Sequence, residues 1–161
     1  MNIDKLIKKA IFEKDSSAKE VYRAIKSELS LNSSAKKPKP LGKDIYSLTF
    51  KDSEGNPFDI IVNELDLAII KNLISTREWQ ISMYDANSRK DLADMYREQN
   101  KYLKALLPPV ISEDKIQEAV VTAYPNGYTQ KEMGKVIKEI KAIYPTADGK
   151  LISEVVKKHI I

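Results

Sequence analysis

The side chains able to do chemistry are few, and they do not cluster along the 161 residues. Without cysteine there is neither a thiolate nucleophile nor a disulfide framework. His159, the single histidine, stands two residues from Ile161 and reads as a solvated residue or a partner for a helix C-terminal dipole. A serine nucleophile would need an activating base, and no motif supplies one. There is no P-loop, no Gly-rich dinucleotide turn and no His or Cys metal cluster. The sequence therefore predicts no catalytic residues, no metal ligands and no cofactor. What remains is charge. Lys135 and Lys138 lie three apart on one predicted helix, with Lys131 and Lys141 extending that side and Lys150 opening the next helix. Together they read either as a phosphate-binding face or as a solvated face offset by Glu132 and Glu139. Phosphate contacts fix position rather than read bases, which suits recognition of an RNA by shape.

Hydrophobic residues make up 42% and charged residues 31%, a balance that supports a real core under a densely charged surface. The net charge of +4 permits a nucleic-acid partner without demanding one. No apolar run approaches the roughly 18 residues of a membrane span, so no membrane partner is expected. The opening MNIDKLIKKAIFEKD lacks a signal peptide's apolar core, which points to the cytoplasm.

The elements that must position these lysines follow from spacing. Ile3, Leu6, Ile7, Ala10 and Ile11 predict a first helix, and Ser17 with Glu20 offers a capping box for a second carrying Val21, Tyr22, Ile25 and Leu29. The stretch from Asn32 to Gly42 is a linker or mobile loop whose Lys36, Lys37 and Lys39, with Lys43 beyond, are solvated or touch phosphates. Between 44 and 62, alternation at Tyr46, Leu48, Phe50 and at Phe58, Ile60, Val62 predicts a small β-hairpin. A helix begun at Asn56 with Pro57 in its first turn fits the same residues, and both readings stand open.

From Glu64 the pattern is helical to about Asn87, with Trp79 and most tyrosines at core spacing. Ser88 with Asp91 would cap a further helix that Pro108-Pro109 ends. Three short helices then follow, capped by Ser112, by Thr129 with Glu132, and by Asp148. Gly134 would allow close helix packing, and Asp148 before Gly149 would cap rather than catalyse. The fold class is all-α, with a helical part over 1–107, an insertion at about 32–62, and a three-helix tail over 108–161.

Four segments together carry a resemblance. They are Arg89-Lys90-Asp91-Leu92-Ala93, Leu106-Leu107-Pro108 followed by Ile111-Ser112-Glu113-Asp114, Glu132-Met133-Gly134-Lys135-Val136, and Ala147-Asp148-Gly149-Lys150-Leu151. In order and spacing these resemble the YqeY-like family and the tail domain of the GatB subunit of tRNA-dependent amidotransferases, which is related to carbon-nitrogen ligases. The sequence departs from it at Tyr144-Pro145-Thr146, where the family usually has Lys-Gly-Arg. The resemblance implies a tail domain that recognises the body of a tRNA, with the amidotransferase's catalytic site in a domain that has no counterpart here. It leads to the expectation of a non-catalytic tRNA-associated module, with Lys131, Lys135, Lys138 and Lys150 as binding residues and Gly134, Asp148 and Gly149 as structural motif residues. The alternative is a protein-interaction adaptor that binds amidotransferase subunits or a synthetase through the 32–62 insertion.

Overall fold

Helical apolar spacing folds the first 33 residues into two helices, α1 (Asp4–Phe12) and α2 (Ser16–Ser33). The computed structural model describes residues 1–161, which divide into two units, Met1–Leu107 and Pro108–Ile161. α2 begins two residues before Glu-containing capping chemistry predicts. Asp15, in extended backbone, accepts the Ala18 amide at 2.9 Å and takes the capping role expected of Ser17, which already lies inside the helix. The carboxylate also accepts the Tyr102 hydroxyl, so Asp15 fixes both the start of α2 and its seat on the neighbouring helix.

The hairpin is real. β1 (Asp44–Lys51) and β2 (Pro57–Asn63) pair antiparallel, with Tyr46 opposite Val62, Leu48 opposite Ile60 and Phe50 opposite Phe58. Pro57 begins a strand rather than a helix because the Asp52 carboxylate closes the turn, accepting the Glu54 and Asn56 amides at 2.9 and 2.8 Å. Phe58, Ile60 and Val62 are buried among Leu6, Val21, Ile25, Ile70 and Leu103. The 32–62 segment is therefore not a detachable insertion. Removing it would strip three side chains from this unit's core.

β2 runs straight into α3 (Glu64–Ala86) through a reciprocal cap, in which Asp66 donates its amide to the Asn63 side chain and accepts the Asn63 amide, at 2.9 and 3.1 Å. The second Asp66 contact is the α-ammonium of Met1 at 2.9 Å, with both side chains fully buried. At Gly42 φ is +73°, and a Cβ there would stand 2.7 Å from Glu64 Cβ, so only glycine lets the loop approach this junction. α4 (Lys90–Lys104) packs on α3, and Leu106 enters the core from the turn that follows, before the prolines. Ser88 does not cap α4: it adopts φ +59°, and Asp91 instead receives two 3.1 Å bonds from Arg89. Trp79 is 64% exposed on α3, not core, because Ile70, Ile74 and Arg77 hold the inward face.

In the second unit, α5 (Glu113–Ala123), a 3₁₀ turn (Gln130–Glu132), α6 (Met133–Ile143) and α7 (Gly149–Lys157) surround Ile116, Val120, Tyr128, Val136, Ile140, Ile152 and Val156. Helices of 9–11 residues are not stable alone, so this shared core supplies their stability. The chain is thus helical apart from one two-stranded hairpin.

Two measurements test this packing. Asp66→Ala leaves buried donors unpaired and should lower unfolding stability by about 3–5 kcal/mol, read as a fall in the urea midpoint by circular dichroism. Burial, with Asp15 and Glu13, pushes the Tyr22 hydroxyl up to about 12, and burial with Asp66 does the same at Tyr46. At Tyr102 the bond to Asp15 is the main cause of a rise to about 12. Each raised value means that folding holds the proton, so this stability is complete below pH 10.0 and is lost as the pH rises towards about 12. Tyrosinate absorbance should show these three ionising together with alkaline unfolding; ionisation at ordinary pH in the folded chain would contradict the packing.

Candidate nucleic-acid interface

α6 turns Val136 and Ile140 into the core and so turns the opposite side to solvent. At 3.6 residues per turn, Gly134, Lys138 and Lys141 fall on that outer side with Lys135 beside them, all exposed. Lys131 precedes them in the 3₁₀ turn. A five-residue connection from Tyr144 to Asp148 separates α6 from α7, which carries Lys150. The lysines thus form a row from Lys131 to Lys141. Lys150 stands on the next helix, outside this row.

The local acids lie at one edge of the row, nearest Lys135. The Glu132 carboxylate accepts the Thr129 amide at 3.0 Å and the Thr129 hydroxyl at 2.9 Å. Those two bonds, the amide first, hold the Glu132 carboxyl below its ordinary range, with Lys135 adding a smaller pull. Asp148 accepts the Lys150 amide at 2.8 Å as the N-cap of α7. Glu139 receives the Tyr124 hydroxyl and lies 3.9 Å from Lys135. Lys131, Lys138, Lys141 and Lys150 have no carboxylate within ion-pair distance.

Each helix carries an exposed Gly-Lys pair in its first turn, Gly134-Lys135 after Met133 in α6 and Gly149-Lys150 at the start of α7. A Cβ at either glycine would meet nothing within 4 Å. This corrects the expectation that Gly134 permits close helix packing: it faces solvent, and internal sterics do not require it. Glycine in a helix costs up to about 1 kcal/mol relative to alanine, and a lysine near a helix N-terminus opposes the dipole. Two locally unfavourable choices therefore recur in the first turn of successive helices.

Gly127 is a different case. Its φ is +75°, and a Cβ there would lie 2.6 Å from the Ile161 side chain, beside the bond from the Ile161 amide to Tyr128. His159 sits on the last turn with Nδ1 3.2 Å from the Val155 carbonyl oxygen. Where the resembling family carries Lys-Gly-Arg, Tyr144 packs against the core and its carbonyl accepts the Ala147 amide at 3.1 Å, giving a turn without a cation.

The model of the Yqey-like protein family matches residues 45–160, from the first strand of the hairpin to the end of the tail. The chain belongs to the YqeY-like family. The hairpin thus lies inside the family match, while α1 and α2 precede it. No curated protein matches the chain.

If Gly134 is free of packing constraints, Gly134→Ala should raise the stability of the tail by up to about 1 kcal/mol. Asp148→Ala should lower it by about 0.5–2 kcal/mol through loss of the cap. Thermal denaturation followed by circular dichroism reads both, and a destabilising Gly134→Ala would show a packing role after all.

Proposed function

We propose that this YqeY-like chain is a non-catalytic binding module that holds a tRNA by its phosphate backbone along the outer face of α6. The observation that supports the reading best is the row of exposed lysines, of which only Lys135 meets a carboxylate, running past a bare helix backbone at Gly134. A phosphate backbone needs cations and close approach, and the row offers both without base-reading chemistry. Helix-opening glycines add accessible backbone beside the cations. The contacts would select shape, as recognition of a folded RNA requires. The relation to tRNA-dependent amidotransferases belongs to the same reading: the tail would bring RNA to a partner that performs the chemistry. The absence of a cation at Tyr144-Pro145-Thr146 makes the α6 row the principal contact.

A second reading, a protein-contact adaptor for amidotransferase subunits or a synthetase, now rests on a smaller surface. The hairpin's inner face is spent in the core, but Leu31 and Leu41 stay 64% and 59% exposed at the ends of the 34–40 loop. Asn32 pins that loop, bonding the Lys39 backbone amide and carbonyl at 2.9 and 3.1 Å. A partner there would meet two apolar side chains among lysines.

Fluorescence anisotropy with labelled tRNA tests the first reading. Affinity should fall steeply with salt, and Lys135→Glu with Lys138→Glu should weaken binding and reduce the magnitude of the salt slope by about 2. No binding at low salt, or an unchanged slope in the double variant, would sink it. Leu41→Ser should leave tRNA affinity unaltered and abolish capture only if the adaptor reading holds.

A further inference from the structure

The end of α2 and the start of α3 bound a groove of about 400 Å³. Leu65, Ala68, Ile69 and Asn72 line it on the α3 side, and Glu28, Leu31 and Lys39 on the other, the last three balancing in charge. Farther along α3 stands an exposed knob. Trp79 is 64% and Met83 44% exposed, although tryptophan is on average among the more buried residues. At 3.6 residues per turn, Leu65, Ala68, Asn72, Thr76, Trp79 and Met83 fall within about 80° of one side of the helix. None is charged, and the six charged residues of α3 all lie outside that arc. Groove and knob therefore share one face, seven residues apart.

That spacing makes the face complementary to itself. Two antiparallel α3 helices can be related by a two-fold axis beside Ser75 and Thr76. Trp79 of one copy then faces Asn72 of the other, and Met83 faces Ala68, a large side chain against a smaller one each time. Each indole enters the other copy's groove. A parallel pair would instead set Trp79 against Trp79 and leave both grooves empty. The charges fit the antiparallel pair as well. Lys71 and Glu78 border the same edge of the uncharged stripe, so the two-fold brings Lys71 of each copy beside Glu78 of the other. Within one chain Lys71 has no carboxylate at ion-pair distance, while Glu78 lies 3.3 Å from Lys104 and both of those stay exposed.

We propose that the chain forms a symmetric homodimer through α3, with Trp79 of each copy seated in the groove of the other against Leu31, Ala68 and Asn72. The interface is small. A helix face about 33 Å long and about 10 Å wide gives roughly 330 Å² of contact, against roughly 800 Å² on each partner of a stable complex. The groove walls at Leu31 and Lys39 add to it. Association is therefore weak, with half-dimerisation at about 10–100 μM. The dimer forms through the first unit and is independent of the lysine row on α6, and its test does not involve RNA.

Sedimentation velocity of the full chain from about 1 to about 500 μM, with tryptophan emission recorded on the same samples, provides the experiment. Trp79 is the only tryptophan, so its emission reports this face directly. Dimer should accumulate with concentration, and the emission should move to the blue in step with it as the indole leaves water. Trp79→Lys and Asn72→Glu, both at exposed positions, should each weaken association at least about tenfold, the scale of a central interface residue. Far-UV circular dichroism should stay unaltered in both. Mixing the two variants should restore association, because the new ammonium of one meets the new carboxylate of the other and the second Asn72–Trp79 contact is native. A chain that stays monomeric throughout would leave the face to a different partner and overturn the proposal. So would dimers that persist in both variants, emission unmoved by dimerisation, or a mixture no more associated than its components.

Discussion

A buried carboxylate at the turn from strand to helix organises the larger unit. Asp66 closes the cap with Asn63, so β2 and α3 meet at one fixed angle, and it draws the Met1 ammonium to the same point. Only one of its oxygens is engaged; the other lies buried without a partner. A buried charge of this kind is tolerated only where its counter-charge and amide donors are held in place. The surrounding packing must therefore be specific. Tyr46 feels the Asp66 field from the hairpin and ties β1 to the end of α4 by donating to the Leu106 carbonyl at 2.7 Å. A single polar node thus couples elements that apolar contact alone would allow to slide.

The tail solves a different problem. Its helices bury narrow stripes, and acids begin them: Ser112 aside, the caps are Glu132 with Thr129, and Asp148. Capping holds these carboxylates ionised, so they remain in the surface charge balance. With 8 lysines against 7 acids from Pro109 onward, the tail is almost neutral by count. Its outer α6 face is cationic because helical spacing puts Lys138 and Lys141 there and leaves Glu132 and Glu139 nearer Lys135. Local electrostatics follow from helix spacing, and the binding proposal follows from local electrostatics.

Much of this was legible in the sequence. Helical spacing at Leu6 and Ala10, the alternation of Phe58, Ile60 and Val62, and the Thr129–Glu132 and Asp148 caps each depend on residues close in sequence. The misreadings share a cause. Ser17–Glu20 and Ser88–Asp91 have capping spacing, but Asp15 and Arg89 sit at the actual helix starts because the preceding chain turns through positive φ at Lys14 and at Ser88 itself. Trp79 has helical apolar spacing, yet which side of α3 faces inward is decided by distant partners. For Gly134, spacing could not distinguish a packed glycine from a bare one. A cleft beside Tyr22 joins residues from Leu6 to Ala105 and leaves no mark in any one segment.

The central claim is that the outer face of α6 is where RNA meets this chain, and amide NMR with tRNA added tests it most directly. The account predicts that the Gly134, Lys135 and Lys138 amides shift or broaden first, while amides of the outer face of α5 and of the hairpin stay unmoved. Perturbation centred elsewhere, or none at low salt, would contradict it.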